Sequence, residues 1–112
     1  MFAGAIIKET ITDELLLDFL RIDKVEIWKT NDRMFKYWTM VFFSSDTCDL
    51  PERLAKAIID GWFADMKQDK VKYIIFKNYV YKYTIGNADE KNFVLGEMRK
   101  RGIPDEQFNW EE

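Results

Sequence analysis

Seven consecutive residues, Tyr37-Trp38-Thr39-Met40-Val41-Phe42-Phe43, constrain what this chain can fold into more than any other segment. Their β-branched and aromatic content predicts a strand over about Lys36 to Phe43. Successive side chains of a strand point to opposite faces, so Trp38, Met40 and Phe42 take one side and Tyr37, Val41 and Phe43 the other. Both sides are apolar. Such a strand needs cover on both faces, or it leaves a hydrophobic surface exposed. With 112 residues the chain has room for one domain, 1-112, burying roughly two-thirds of its unfolded surface. Aromatic residues make up 16% of it, more large rings than a two-layer core of that size needs.

The other elements follow from periodicity and end signals. A short strand is expected over Phe2 to Lys8, then a short helix carrying Leu15, Leu16, Phe19 and Leu20, with Thr10 and Thr12 ahead of Asp13 and Glu14 as its start. Val25 and Ile27 alternate with Lys24, Glu26 and Trp28, the period of a half-buried strand, and Thr30 to Arg33 supplies a turn. Asp49 and Glu52 stand at capping-box spacing with Pro51 in the first turn. Leu54, Ala55, Ile58, Ile59, Trp62, Phe63 and Met66 then recur at helical spacing and predict a long central helix. Gly61 falls inside it at a cost of roughly 1 kcal/mol against Ala, which implies close approach by another backbone.

Val71 to Phe76 and Tyr79 to Ile85 form a hairpin joined at Lys77-Asn78. A two-residue turn sets Phe76 opposite Tyr79 and Lys72 opposite Tyr83. A three-residue turn moves Tyr81 and Tyr83 to the face of Tyr73 and Ile75. The last helix opens at Asn87, with Glu90 three residues on, and closes at Arg99-Lys100-Arg101-Gly102-Ile103-Pro104. Phe108 and Trp110, in an acidic tail, are expected to tuck back onto the body.

The resulting order, β-α-β-β-α-β-β-α, predicts an α+β fold, two-layer, with a mostly antiparallel sheet of about five strands. Its first six elements match the ferredoxin-like βαββαβ order, extended by a fifth strand and a C-terminal helix. That match is of element order, and the arrangement hosts many unrelated functions.

Two absences narrow the chemistry. There is no histidine and only one cysteine, Cys48. Ser-His-Asp and Cys-His nucleophiles, most zinc sites and a disulfide within the chain are excluded. The expectation is a protein that is not an enzyme, has no cofactor and lives in the reducing cytoplasm. No basic leader precedes the first apolar run, and the longest apolar stretches are about five residues against the roughly 18 that cross a bilayer, so no membrane partner is expected. The glycines are scattered, without a phosphate-cradling pattern. Acidic Asp46 and Asp49 flank Cys48 and disfavour a reactive thiolate. The same two residues and Glu52 fit no calcium-loop spacing, so no metal site is expected.

Binding is the remaining class. The leading expectation is a protein-interaction or regulatory module that uses an aromatic sheet face, with Trp28, Trp38, Tyr81 and Tyr83 as contact residues. It takes an unknown protein partner or a second copy of itself as a homodimer. Against it stands burial of that face by the last helix through Phe93, Val94 and Met98. The alternative is single-stranded nucleic-acid binding by the hairpin 70-83, through Lys70, Lys72, Lys77, Lys82 and Tyr79. That segment has four lysines and no acid inside a chain of net charge -3, and bases stack on rings while cations hold phosphates. Tyr is also an ordinary strand former and Lys an ordinary edge residue, and the RNP1 pattern is not met. An enzyme working with carboxylates or tyrosines alone comes last.

Overall fold

A computed structural model describes residues 1–112 throughout. Strands β1 (Phe2–Ile7), β2 (Arg21–Lys29), β3 (Tyr37–Ser45), β4 (Phe63–Gln68), β5 (Val71–Phe76) and β6 (Tyr79–Thr84) form one antiparallel sheet in the order β2-β3-β1-β4-β5-β6. Helix α1 spans Leu50–Ala57 and α2 spans Ala88–Lys100, with 3-10 turns at Lys8–Thr10, Glu14–Phe19 and Asp105–Gln107. The class is α+β, as expected. No helix is long and apolar enough to cross a membrane.

The sheet has six strands rather than five, because the central helix stops far short of Met66. At Ile58 the backbone is already extended (ψ 144°), and Ile58 bridges to Ile11. Two β-branched residues are followed by Asp60-Gly61, a turn dipeptide. Gly61 takes φ +86°, and its N–H donates to the Asp60 carboxylate at 3.1 Å. Past this turn Ala64 and Met66 are buried on one side while Phe63 and Asp65 face the other, a strand period hidden within the helical one. Asp49 holds the N-cap position of α1, but its carboxylate accepts from Arg53 Nε at 2.9 Å and makes no capping bond. The expected first helix is a 3-10 segment, begun by the Leu15 N–H donating to Asp13 at 3.0 Å.

Close backbone approach was expected at Gly61, yet nothing lies within 4 Å of the place a Cβ would occupy there. It occurs at Gly4. A Cβ on Gly4 would sit 2.4 Å from the Asp65 carbonyl oxygen and 2.7 Å from Met66 Cα, where β1 and β4 pair.

One sheet face is covered over β3, β1, β4 and β5. Phe2, Ile6, Val41, Phe43, Met66 and Ile75 pack against Leu50, Leu54 and Ile58 of the α1 segment, with Leu16 alongside. The opposite face is divided. Over β5 and β6, α2 sets Val94 and Met98 on Ile74, Phe76 and Tyr83, and Phe108 and Trp110 of the tail join them. Phe93, expected to share this contact, points to solvent. The β5–β6 turn has two residues, so Phe76 faces Tyr79 and Lys72 faces Tyr83. Helix α2 is tied to this hairpin at its start: Asn87 accepts from the Glu90 N–H at 3.1 Å, and the Glu90 carboxylate accepts from the Thr84 N–H at 2.7 Å. The latter bond holds Glu90 below the ordinary carboxylate range.

Neither helix reaches β2. Val25 and Ile27 are 51% and 63% exposed, so β2 is an open edge rather than the half-buried strand its alternation predicts. Alternation marks which residues share a face, whereas cover depends on where the helices end.

The two glycine environments give opposite expectations. Gly4→Ala must push backbone against backbone and should cost about 3 kcal/mol. Gly96→Ala, inside α2 with nothing within 4 Å of its Cβ position, should gain about 0.5–1 kcal/mol. Urea unfolding of both variants measures the contrast.

Candidate partner-binding face

The uncovered half of the second face is shaped by residue size. On that side β1 presents Ala3, Ala5 and Ile7, which pair with Ser44, Phe42 and Met40 of β3. Across the other edge of β1, Asp65 and Lys67 of β4 lie opposite Ala5 and Ala3. Methyl groups on the central strand between larger side chains on both neighbours make a trough, and its cavity volume is about 960 Å³. Trp28 and Trp38 are cross-strand partners at its outer side. Trp62 packs edge-on to Trp38 with ring centres 5.7 Å apart and also touches Phe35 at 5.6 Å. The Trp28 indole donates to Glu26 at 3.1 Å, while the Trp38 indole N–H is shielded from solvent and has no acceptor.

The tail forms the other wall of this trough through Ile103, Gln107, Asn109 and Trp110. It is held by a compact polar network. Trp110 Nε1 donates to the Tyr83 hydroxyl at 2.9 Å, and that hydroxyl donates to the Glu112 carboxylate. Lys91 reaches the same carboxylate at 3.3 Å. Lys72 Nζ sits between Asp65 at 2.7 Å and the Glu111 carbonyl at 2.6 Å, and Lys67 donates to the Glu112 carbonyl at 2.9 Å. Burial first, and the Glu112 carboxylate second, raise the pKa of Tyr83 above the ordinary tyrosine value. The Tyr83 hydrogen bond, followed by Lys91, holds Glu112 below the ordinary carboxylate range.

All four expected contact residues lie on this sheet face, but in two territories. Trp28 (44% exposed) and the half-buried Trp38 flank the open trough. Tyr83 is buried under α2 and the tail, and Tyr81 is half-buried, its hydroxyl accepting from Arg101 at 3.0 Å. The nucleic-acid set does not share a surface. Lys72 is buried and ion-paired, Lys82 pairs with Tyr73 on the α1 side, and Lys70 and Lys77 sit at opposite ends of β5. Tyr79 is exposed and stacks on Tyr81, with the Arg101 guanidinium 4.4 Å from its ring centre.

Sequence reasoning passed over the trough floor, Ala3 and Ala5, and the Asp65 wall. Small residues carry no chemical signal, and the spacing that carries Phe63 and Met66 reads as helix. The Asp60-Gly61 dipeptide was the available warning. No three carboxylate or cysteine side chains gather into a metal-holding group. Comparison with protein-family models, with curated proteins and with solved structures finds no match.

Two measurements test the tail network. Lys72→Ala strands Asp65 and should cost about 3 kcal/mol, the low end for a broken buried pair because the Asp65 side chain keeps 26% exposure. Lys82→Ala, at an exposed site, should change urea stability by less than about 0.5 kcal/mol. For Tyr83, the folded chain retains a proton that the unfolded chain loses near pH 10.0. Its stabilising contribution is therefore complete below that pH and declines as pH rises beyond it. Subtracting Tyr83→Phe from wild type in unfolding scans against pH should isolate that alkaline decline.

Proposed function

We propose that this chain is a non-catalytic protein-interaction module that takes a polypeptide partner in the trough over β1 and β3. The observation that carries this is the unequal cover of the second sheet face. Helix α2 and the tail close it over β5 and β6, while Ala3, Ala5, Met40 and Phe42 remain an open, concave, mostly apolar floor beside Trp28 and Trp38. Contiguous apolar surface of this kind marks partner sites, and Trp is prominent among interface anchors. A polypeptide is the favoured occupant because the trough already receives one. Tail residues line it, with Trp110 edge-on to Phe63 at 6.0 Å and backbone carbonyls accepting from Lys67 and Lys72.

The proposal extends to fold and compartment. Within the six-stranded sheet, β4-β1-β3-β2 has the order of a ferredoxin-like unit, with β5–β6 added as a hairpin. In support, β1 and β2 run the same way with β3 between them, and β3 and β4 run the same way with β1 between them. A cytoplasmic setting is supported by the single cysteine, an exposed free thiol at Cys48.

Ala5→Trp fills the trough floor without touching the buried core. A displayed peptide library should yield binders rich in aromatic residues for the wild-type chain, and Ala5→Trp should lose them. Amide shifts on titrating such a peptide should cluster at Ala3, Ala5, Met40 and Phe42. Binders indifferent to Ala5→Trp, or shifts confined to the β5–β6 hairpin, would contradict the proposal.

A further inference from the structure

Strand β2 is nine residues long, ends the sheet, and has nothing beyond it. No hydrogen bond outside the β2–β3 ladder reaches the backbone of residues 21–29, so its outer row of N–H and C=O groups is unspent. Ile22, Val25 and Ile27, at 48%, 51% and 63% exposure, all point to the α1 side and extend that face past the reach of α1. Lys24 and Glu26 point to the trough side. Long apolar edges are templates for another strand, and proteins ordinarily blunt them with proline or repelling charge. Here there is no proline, and the charges alternate in sign.

We infer that β2 pairs antiparallel with β2 of a second copy, across a two-fold axis at Val25, joining the two sheets edge to edge. The charges select both the occupant and the register. With Val25 opposite its own counterpart, Lys24 of each copy faces Glu26 of the other, on the same sheet side, twice. Moving the two-fold axis from Val25 to Lys24 sets Lys24 against Lys24, and moving it to Glu26 sets Glu26 against Glu26; like charges directly opposite oppose pairing. In the Val25 register the exposed isoleucine and valine rows of the two copies lie side by side on the α1 side. At the bulge between Ile22 and Lys24 the register shifts, and the ladder resumes at Ile22 and Arg21. Within one copy, Lys24 and Glu26 sit 3.3 Å apart and are both solvent-accessible, so they can re-pair across the axis.

This inference is separable from the trough: Ala5→Trp leaves the edge intact and Val25→Cys lies on the opposite sheet side, whereas Lys24 and Glu26 border the trough through the Phe42 ring and the Trp28 indole. Sedimentation of the wild-type chain over a concentration series should show a monomer–dimer equilibrium. Lys24→Glu alone and Glu26→Lys alone each turn two attractive pairs into two repulsive ones, and each should weaken the dimer about tenfold. The double swap restores opposite charges across the axis and should recover the dimer. Circular dichroism checks that each variant is folded. Independently, Val25→Cys in a Cys48→Ser background should cross-link into disulfide dimers on mild oxidation, whereas Thr84→Cys on the β6 edge should not. A strict monomer at every concentration, a dimer insensitive to the single swaps, or equal cross-linking at both edges would overturn the inference.

Discussion

The close contact of β1 with β4 at Gly4 is the constraint on which the rest of this molecule depends. Without a Cβ on Gly4, Met66 and the Asp65 carbonyl settle against β1, and a Cβ would overlap both. The residues on either side, Ala3 and Ala5, turn to the opposite face and carry only a methyl group each. The three small residues Ala3-Gly4-Ala5 within β1 therefore do two things. On the α1 side they let β4 join the sheet and Met66 reach full burial. On the other side they lower the floor between Phe42 and Asp65 and make a trough.

What was legible in the sequence, and what was not, follows from the range of the forces concerned. The caps and turns of the last third are local, and they read correctly: Asn87 at the start of α2, the hairpin at Lys77-Asn78, the return of Phe108 and Trp110. The two-sided apolar character of Tyr37 to Phe43 called for cover on both faces or an exposed hydrophobic surface, and β3 shows the second outcome: Val41 and Phe43 are buried under α1 while Met40 and Phe42 floor the open trough. The segment from Ile58 to Met66 failed because its apolar residues satisfy both periods at once. A turn at Asp60-Gly61 and a vacancy beside Gly4 decided between them, and the second belongs to a strand more than fifty residues away. Burial of β2 failed for a related reason, since no pattern within a strand records where a distant helix ends.

The hairpin lysines show the same limit on the functional side. Lys72 looks like its neighbours in composition, yet it is enclosed by Asp65 and the Glu111 carbonyl, and it helps hold the tail rather than facing solvent. The aromatic surplus divides likewise. Tyr83, Phe76, Phe63 and Trp110 fill the second core, while Trp28 and Trp38 flank the open half. Large rings on both faces of a strand thus serve two purposes in one sheet, and α2 draws the line between them. The proposed partner trough arises where α2 gives no cover, and the proposed β2 pairing arises at the edge that α1 does not reach.

Solvent accessibility of individual methyl groups tests this unequal cover most directly. A neutral soluble paramagnetic probe should broaden the methyl signals of Ala3, Ala5 and Met40 while sparing Ile74, Val94 and Met98 on the same sheet face. If Ala5 and Met40 proved as protected as Met98, the second face would be closed along its whole width, and the account of an open trough would be wrong.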